Sequence, residues 1–181
     1  MIGVAGLLAG CGDDPRSAPT PTPTYSCTPD PTGAPCTAEL AAAQAEEAKA
    51  YEEAIFVYQE FTKERNRLLL SGGAESPSPL LEKYATGQYL DDVISDLSLA
   101  WRLGIHGSSG IKVQKIEHVS FVSDSVILRS CEDGSAIHLL DRSGEVVGQG
   151  SRVSVELGVE RHDGDWRIVS GKSGEPGICA V

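Results

Sequence analysis

The sequence predicts an α+β fold: a long N-terminal helix plus two shorter helices packed on a curved antiparallel sheet of four to five strands, preceded by a disordered Pro-rich tether. Three observations carry this. Ala38 to Leu70 contains neither Pro nor Gly and develops an apolar stripe at helical spacing. After the tract His106-Gly107-Ser108-Ser109-Gly110 the hydrophobic period changes to two. Turn-forming pairs then recur at Ser123-Asp124, Asp133-Gly134, Ser143-Gly144 and Asp163-Gly164. Helices followed by antiparallel strands read as segregated layers.

The chain opens on MIGVAGLLAG, residues 1–10, an uncharged apolar run ending in small residues, as in the tail of a secretory signal. Leu8-Ala9-Gly10-Cys11 resembles the bacterial lipobox, although no Lys or Arg precedes Arg16. That resemblance implies cleavage before Cys11 and a diacylglycerol on its thiol. Two acyl chains anchor stably where one holds only marginally. Residues 11–36 hold Pro15, Pro19, Pro21, Pro23, Pro29, Pro31 and Pro35, which fix φ and remove amide donors. They read as an extended, mobile spacer between anchor and domain. The expected organisation is a signal remnant at 1–10, a lipid-anchored tether at 11–36 and one domain at 37–181, on the outer face of a bacterial cell membrane.

With Cys11 set aside, Cys27, Cys36, Cys131 and Cys179 remain, an even number that reads as disulfides in an exported chain. Four cysteines allow three pairings, and closeness in sequence favours Cys27–Cys36, which leaves Cys131–Cys179.

Thr37 is placed to cap the first helix, with Glu39 near its positive end. Its first half is Ala/Glu/Gln-rich and reads as a continuation of the stalk. Its second half places Tyr51, Ile55 and Tyr58 at i, i+4 and i+7, widened by Ala54, Phe61 and Leu68. Ser71-Gly72-Gly73 ends it. Shorter helices follow over about 78–85 and 87–103, the second with Tyr89, Leu90, Val93, Ile94, Leu97, Ala100 and Trp101 on one face. Strands are expected near 111–122, 126–132, 135–141, 151–161 and 165–171. The clearest alternates Val153, Val155, Leu157 and Val159 with Arg152, Ser154, Glu156 and Glu160.

Composition excludes some functions. With 26 acidic and 15 basic residues, the net charge of −11 disfavours nucleic acid, whose phosphates each need a Lys or Arg. No apolar run reaches the roughly 18 residues of a membrane-spanning helix. His106, His118, His138 and His162 lack ligand spacing, and there is no CxxC, so neither a metal nor another cofactor is expected. Asp91, Asp92 and Asp96 read as helix-dipole partners and a solvated face rather than a cation site. No GxSxG marks a hydrolase.

The element order, together with His162-Asp163-Gly164-Asp165-Trp166-Arg167-Ile168-Val169 and Cys131-Glu132-Asp133-Gly134-Ser135, resembles the nuclear-transport-factor-2-like, or SnoaL-like, cone fold. Exported actinobacterial lipoproteins of this class look similar over 37–181. The resemblance implies helices lidding a curved sheet around a pocket; it implies no reaction, because such folds host many functions. Ketosteroid isomerase, the enzymatic use of this cone, needs a carboxylate base with a tyrosine and a neutral carboxylic acid. Tyr84, Tyr89, Trp101, His138 and Asp141 are the candidate pocket residues here, and no catalytic residue is carried over from that template. The expected function is a non-catalytic module that binds a small apolar ligand or a protein partner. The competing expectation is a ketosteroid-isomerase-like enzyme in which Tyr84 or Tyr89 meets Asp141 or His138. A homodimer through the sheet face is the oligomer such folds commonly form.

Overall fold

The computed structural model describes residues 25–28, 33, 35–173 and 176–179. Cys11 and the rest of residues 1–24 lie outside these. The chain divides into two units, Met1–Ala41 and Ala42–Val181.

In the first unit the Cys27–Cys36 disulfide forms, with Cα atoms 5.7 Å apart. Thr37 caps helix α1 (Ala38–Leu70): its hydroxyl accepts the Leu40 N–H at 3.2 Å, and its carbonyl accepts that of Ala41 at 3.0 Å.

Among the described residues the second unit holds the remainder of α1, helices α2 (Pro79–Tyr84) and α3 (Gly87–Leu103), and seven strands. No α1 side chain is buried before Ala50, because the Ala/Glu-rich turns offer no apolar stripe. From Tyr51 onward the stripe buries Ala54, Tyr58 and Phe61 completely. Leu68 closes it. There Gly73 takes φ +84°, and its N–H reaches back to the Leu68 carbonyl at 2.9 Å. A Cβ on Gly73 would lie 2.1 Å from the Leu97 carbonyl, so glycine lets α1 turn tightly against α3. Ser78 caps α2, accepting the Leu81 N–H at 3.3 Å, with Pro79 in the first turn. Gly104, at φ +69°, ends α3.

The strands form two antiparallel sheets, where the sequence led us to expect one. The main sheet runs β2 (Lys112–Val122), β3 (Ser125–Asp133), β6 (Arg152–His162), β7 (Asp165–Ser173) in that order. The smaller sheet pairs β1 (His106–Gly107), β4 (His138–Leu140) and β5 (Val146–Gln149). The strand expected at 135–141 therefore does not join the main sheet. The reason is local: Asp133 turns the chain out of β3, its carboxylate accepting the Ser135 N–H at 3.0 Å and the Ser135 hydroxyl at 2.6 Å. Residues 134–151 then make a separate excursion, and Arg152 returns opposite Asp133. A 3₁₀ turn (Pro176–Cys179) follows β7, and Cys179 is disulfide-bonded to Cys131 on β3.

Register explains the layers. Val126, Leu128, Ser130 and Glu132 alternate along β3 and are all buried, facing the helices. The row is apolar at one end and polar at the other. Opposite them on β6 stand Val159, Leu157, Val155 and Val153. Register shifts interrupt β2 twice and the β6–β7 ladder once, between Gly158 and Val159. Such bulges bend the strands and increase their twist. On the outer face one row reads Glu117, Arg129, Glu156, Lys172 across all four strands, alternating in sign. Arg129 and Lys172 both pair with Glu156, at 3.1 and 2.8 Å.

Candidate functional site

The polar end of the β3 row meets α1. Tyr58 and Arg65, seven residues apart, share the helix face that also carries Phe61. The Tyr58 hydroxyl donates to Glu132 Oε1 at 2.7 Å and lies 2.9 Å from Ser130 Oγ. Because a phenol has one proton and the carboxylate can only accept, Ser130 is the donor of the second bond. Arg65 Nη2 donates to Glu132 Oε2 at 2.7 Å. Glu132 is thus engaged at both oxygens with 5% of its side chain exposed, and Arg65 has 16% exposed.

The electrostatics follow from this burial. Desolvation, and then the charge of Glu132, hold the Tyr58 phenol far above its ordinary value. Burial opposes the charge on Arg65, but Glu132 outweighs it and leaves the guanidinium above its usual range. On α3, burial pushes the Tyr89 phenol up to about 12, against the partly compensating charge of Arg65. Tyr89 owes its position to Gly171 on β7: a Cβ there would lie 2.5 Å from Tyr89 Cε2, so only glycine lets the ring lie this close to the strand.

Two hollows adjoin this cluster and share Arg65, Val93 and Asp96. One, of about 220 Å³, is also lined by Tyr89, Asp92, Glu132, Val155, Leu157 and Lys172. The other, of about 200 Å³, adds Leu69, Leu97 and Ile111. The first is a cleft with aliphatic walls of Val93, Val155 and Leu157, the donors Arg65, Tyr89 and Lys172, and the carboxylates Asp92, Asp96 and Glu132. Among the described residues, Arg65 Nε has no hydrogen-bond partner, and no side chain bonds the Tyr89 hydroxyl. No group of three or more His, Cys, Asp or Glu among them is arranged to hold a metal ion.

The sequence-predicted pocket residues separate. Tyr89 lines this cleft. Tyr84, buried at the end of α2, lines a different hollow between α1 and β7. Trp101 was expected as core or pocket wall but is 46% exposed, because it falls at the last turn of α3 where the core has ended. His138 is exposed on the small sheet, its N–H donating to Ser108 Oγ at 2.9 Å. Asp141 serves a turn: its Oδ1 accepts the Ser143 N–H and hydroxyl and the Glu145 N–H. Neither hollow lined by a candidate tyrosine includes His138 or Asp141, so the expected meeting of Tyr84 or Tyr89 with Asp141 or His138 does not occur in either.

The residues that do converge, Tyr58, Arg65, Ser130 and Glu132, were missed. Two signals point to them. Arg65 interrupts the stripe Tyr58, Phe61, Leu68 at an inward position, and Glu132 continues the alternation Val126, Leu128, Ser130. A charge on an inward-facing row needs a buried partner.

No protein-family model and no curated protein matches the chain. Solved structures similar to it include the intermembrane-space region of the chloroplast protein ARC6, at 16% identity over 65% of this chain and 90% of that one, with a TM-score of 0.48. A de novo β-sheet design is 16% identical over 70% of this chain and 85% of its own, with a TM-score of 0.29. An NTF2-like designed protein is 14% identical over 71% and 99%, with a TM-score of 0.31. At these scores none assigns a family or a function.

Proposed function

We propose that the second unit is a non-catalytic binding domain of the cone type, taking a small, largely apolar, uncharged ligand in the Arg65–Tyr89 cleft. The observation that carries this is an imbalance at the cleft base. Both Glu132 oxygens are engaged, by Tyr58 and by Arg65, whereas the Tyr89 hydroxyl has no side-chain partner among the described residues. A ligand therefore has to offer an acceptor, such as a carbonyl, to that base and an aliphatic body to Val93, Val155 and Leu157. Asp92 and Asp96 in the same cleft disfavour an anion.

The same geometry disfavours the ketosteroid-isomerase-like alternative. A general base must offer a carboxylate oxygen to the substrate's proton. Glu132 has 5% of its side chain exposed and both oxygens turned to Tyr58 and Arg65, which leaves little of the carboxylate open to a substrate.

The compartment is part of the proposal: Cys11, outside the described residues, carries a diacylglycerol that holds the chain on the outer face of a bacterial membrane. The acidic composition agrees with a domain held off anionic lipid by a spacer. Native mass spectrometry of the chain purified from its own host tests the ligand. A retained neutral mass that is lost in Tyr89→Phe supports the assignment; a bare chain in both forms overturns it. An unmodified Cys11 thiol in that preparation would remove the anchor without touching the cleft.

A further inference from the structure

A hollow of about 430 Å³ opens between α1, the end of α2 and the start of β7, apart from the ligand cleft. Phe56, Tyr84 and Trp166 meet there. The Phe56 ring stands edge-on to Tyr84, with centroids 6.3 Å apart, yet Phe56 is 56% exposed. A large ring left open beside a concavity marks a contact surface more often than an isolated exposed residue does.

The backbone beside it has no partner strand on its outer side, where Trp166 keeps 6% of its surface exposed. β7 is an edge strand of the main sheet. Its hairpin with β6 turns at Asp163-Gly164 and closes on the His162–Asp165 pair, so alternation puts Arg161–Trp166 and Val159–Ile168 at non-hydrogen-bonded sites of the ladder. Two bonds agree with this phase. The Arg161 N–H goes to the Asp124 carbonyl at 2.9 Å, and the Ile168 carbonyl accepts the Thr86 N–H at 3.0 Å. Ala85 lies parallel to Ile168 and covers the edge there. Trp166, two residues earlier, presents its N–H and C=O to the same edge beside the hollow. No backbone partner outside the sheet meets them among the described residues.

Charge narrows the occupant. Arg161 is already committed, lying 4.9 Å from the Trp166 ring and pairing with Asp124 at 3.3 Å and Glu53 at 3.6 Å. Glu53 also accepts the Trp166 Nε1–H at 2.8 Å. Lys83 sits 4.9 Å over the Tyr84 ring. Glu52 and Asp165 line the hollow without an ion pair among the described residues, leaving an excess of negative charge on a chain of net −11.

We propose that this hollow takes an extended, basic peptide segment of a partner protein, added to the β7 edge at Trp166. Strand periodicity then places an apolar side chain on Phe56 and Tyr84, and a lysine or arginine towards Glu52 and Asp165.

The test titrates the full chain with a blocked pentapeptide alternating lysine and valine, beside a glutamate–valine counterpart and a lysine–valine peptide N-methylated at alternate amides. The Trp166 amide and indole resonances are followed by NMR, and affinity by calorimetry. The expected result is a shift of both signals and slowed exchange of the Trp166 amide with the lysine peptide alone. Phe56→Ala, which removes an exposed ring and should leave the fold intact, is expected to weaken binding by about tenfold, and Glu52→Lys by a similar factor. Equal binding of the acidic peptide would overturn the charge assignment, and equal binding of the N-methylated peptide the edge pairing. Self-association through β7, detected by sedimentation without peptide, would make a second copy the occupant and overturn the proposal.

Discussion

Tyr58 on α1 and Glu132 on β3 stand 74 residues apart in sequence, and a 2.7 Å hydrogen bond joins them inside the domain. The bond ties the helical layer to the main sheet at the point where the inner face changes from apolar to polar. Glu132 is charged and buried, so its stability depends on both donors, Tyr58 and Arg65.

Removing one partner should cost more than removing the pair. Glu132→Leu leaves the Arg65 guanidinium buried without a counter-charge and is expected to destabilise the domain by about 3–5 kcal/mol in urea unfolding. Tyr58→Phe removes one donor and should cost about 1–3 kcal/mol. Combining Glu132→Leu with Arg65→Met is expected to recover most of the single-variant loss. A double variant no more stable than Glu132→Leu alone would show that the pair is not coupled as drawn.

Alkaline titration should reveal the raised phenols of Tyr58 and Tyr89. The Tyr89 phenol sits at about 12 in the native domain against 10.0 in an unstructured chain, and Tyr58 is raised as well. A raised native value means stability fully present below pH 10 and lost as pH climbs towards the native values. Absorbance at 295 nm is therefore expected to show Tyr58 and Tyr89 ionising only together with alkaline unfolding, with Tyr58→Phe and Tyr89→Phe each removing one such phenol. Their titration near pH 10 in a folded chain would contradict their burial.

At the acid end the sign is reversed. The Ser135 donors and Arg152 hold Asp133 far below the ordinary carboxylate range, and Lys172 with Arg129 lowers Glu156. Turn donors led by the Ser143 hydroxyl lower Asp141 too. Depressed native values give stabilisation that is present above the unfolded values, near 4, and disappears as pH falls through the native ones. Melting temperature should be level from pH 7 to about 5 and drop below pH 4. Asp133→Asn is expected to flatten that drop.

Cys131–Cys179 closes a separation of 48 residues, for which loop-closure entropy corresponds to about 4 kcal/mol. The double variant Cys131→Ser, Cys179→Ser is expected to be less stable by about 4 kcal/mol, seen in calorimetry as a lower unfolding temperature. The Cys27–Cys36 bridge lies in the first unit, and its removal should leave the main transition unchanged.

Gly171→Ala should act on the cleft rather than on the hairpin, because its Cβ would meet the Tyr89 ring at 2.5 Å. The expected outcome is a displaced Tyr89, seen in aromatic NMR signals, with loss of the mass retained from the native host. An unmoved ring would mean that Gly171 does not set the position of Tyr89.

What the sequence determined by itself was whatever rests on neighbouring residues. The span of α1 follows from its cap at Thr37 and from its glycines at 72 and 73. The Asp163-Gly164 hairpin follows from turn chemistry, and the two disulfides from cysteine number and spacing. What only the tertiary structure decided rests on contacts between distant segments. Arg65 and Glu132 are 67 residues apart, and nothing in either neighbourhood names the other. Trp101 sits on an apolar helical face yet is exposed, since a stripe says which face turns inward but not where the opposing layer stops. Of the expected strand at 135–141 only His138–Leu140 pairs, and in a second sheet, because the Asp133 turn redirects the chain before it can pair with β6. Local periodicity and capping act within a few residues and can be read in order along the chain. The pairing of buried charges is settled only when two layers close on each other and leave each charge one partner within reach.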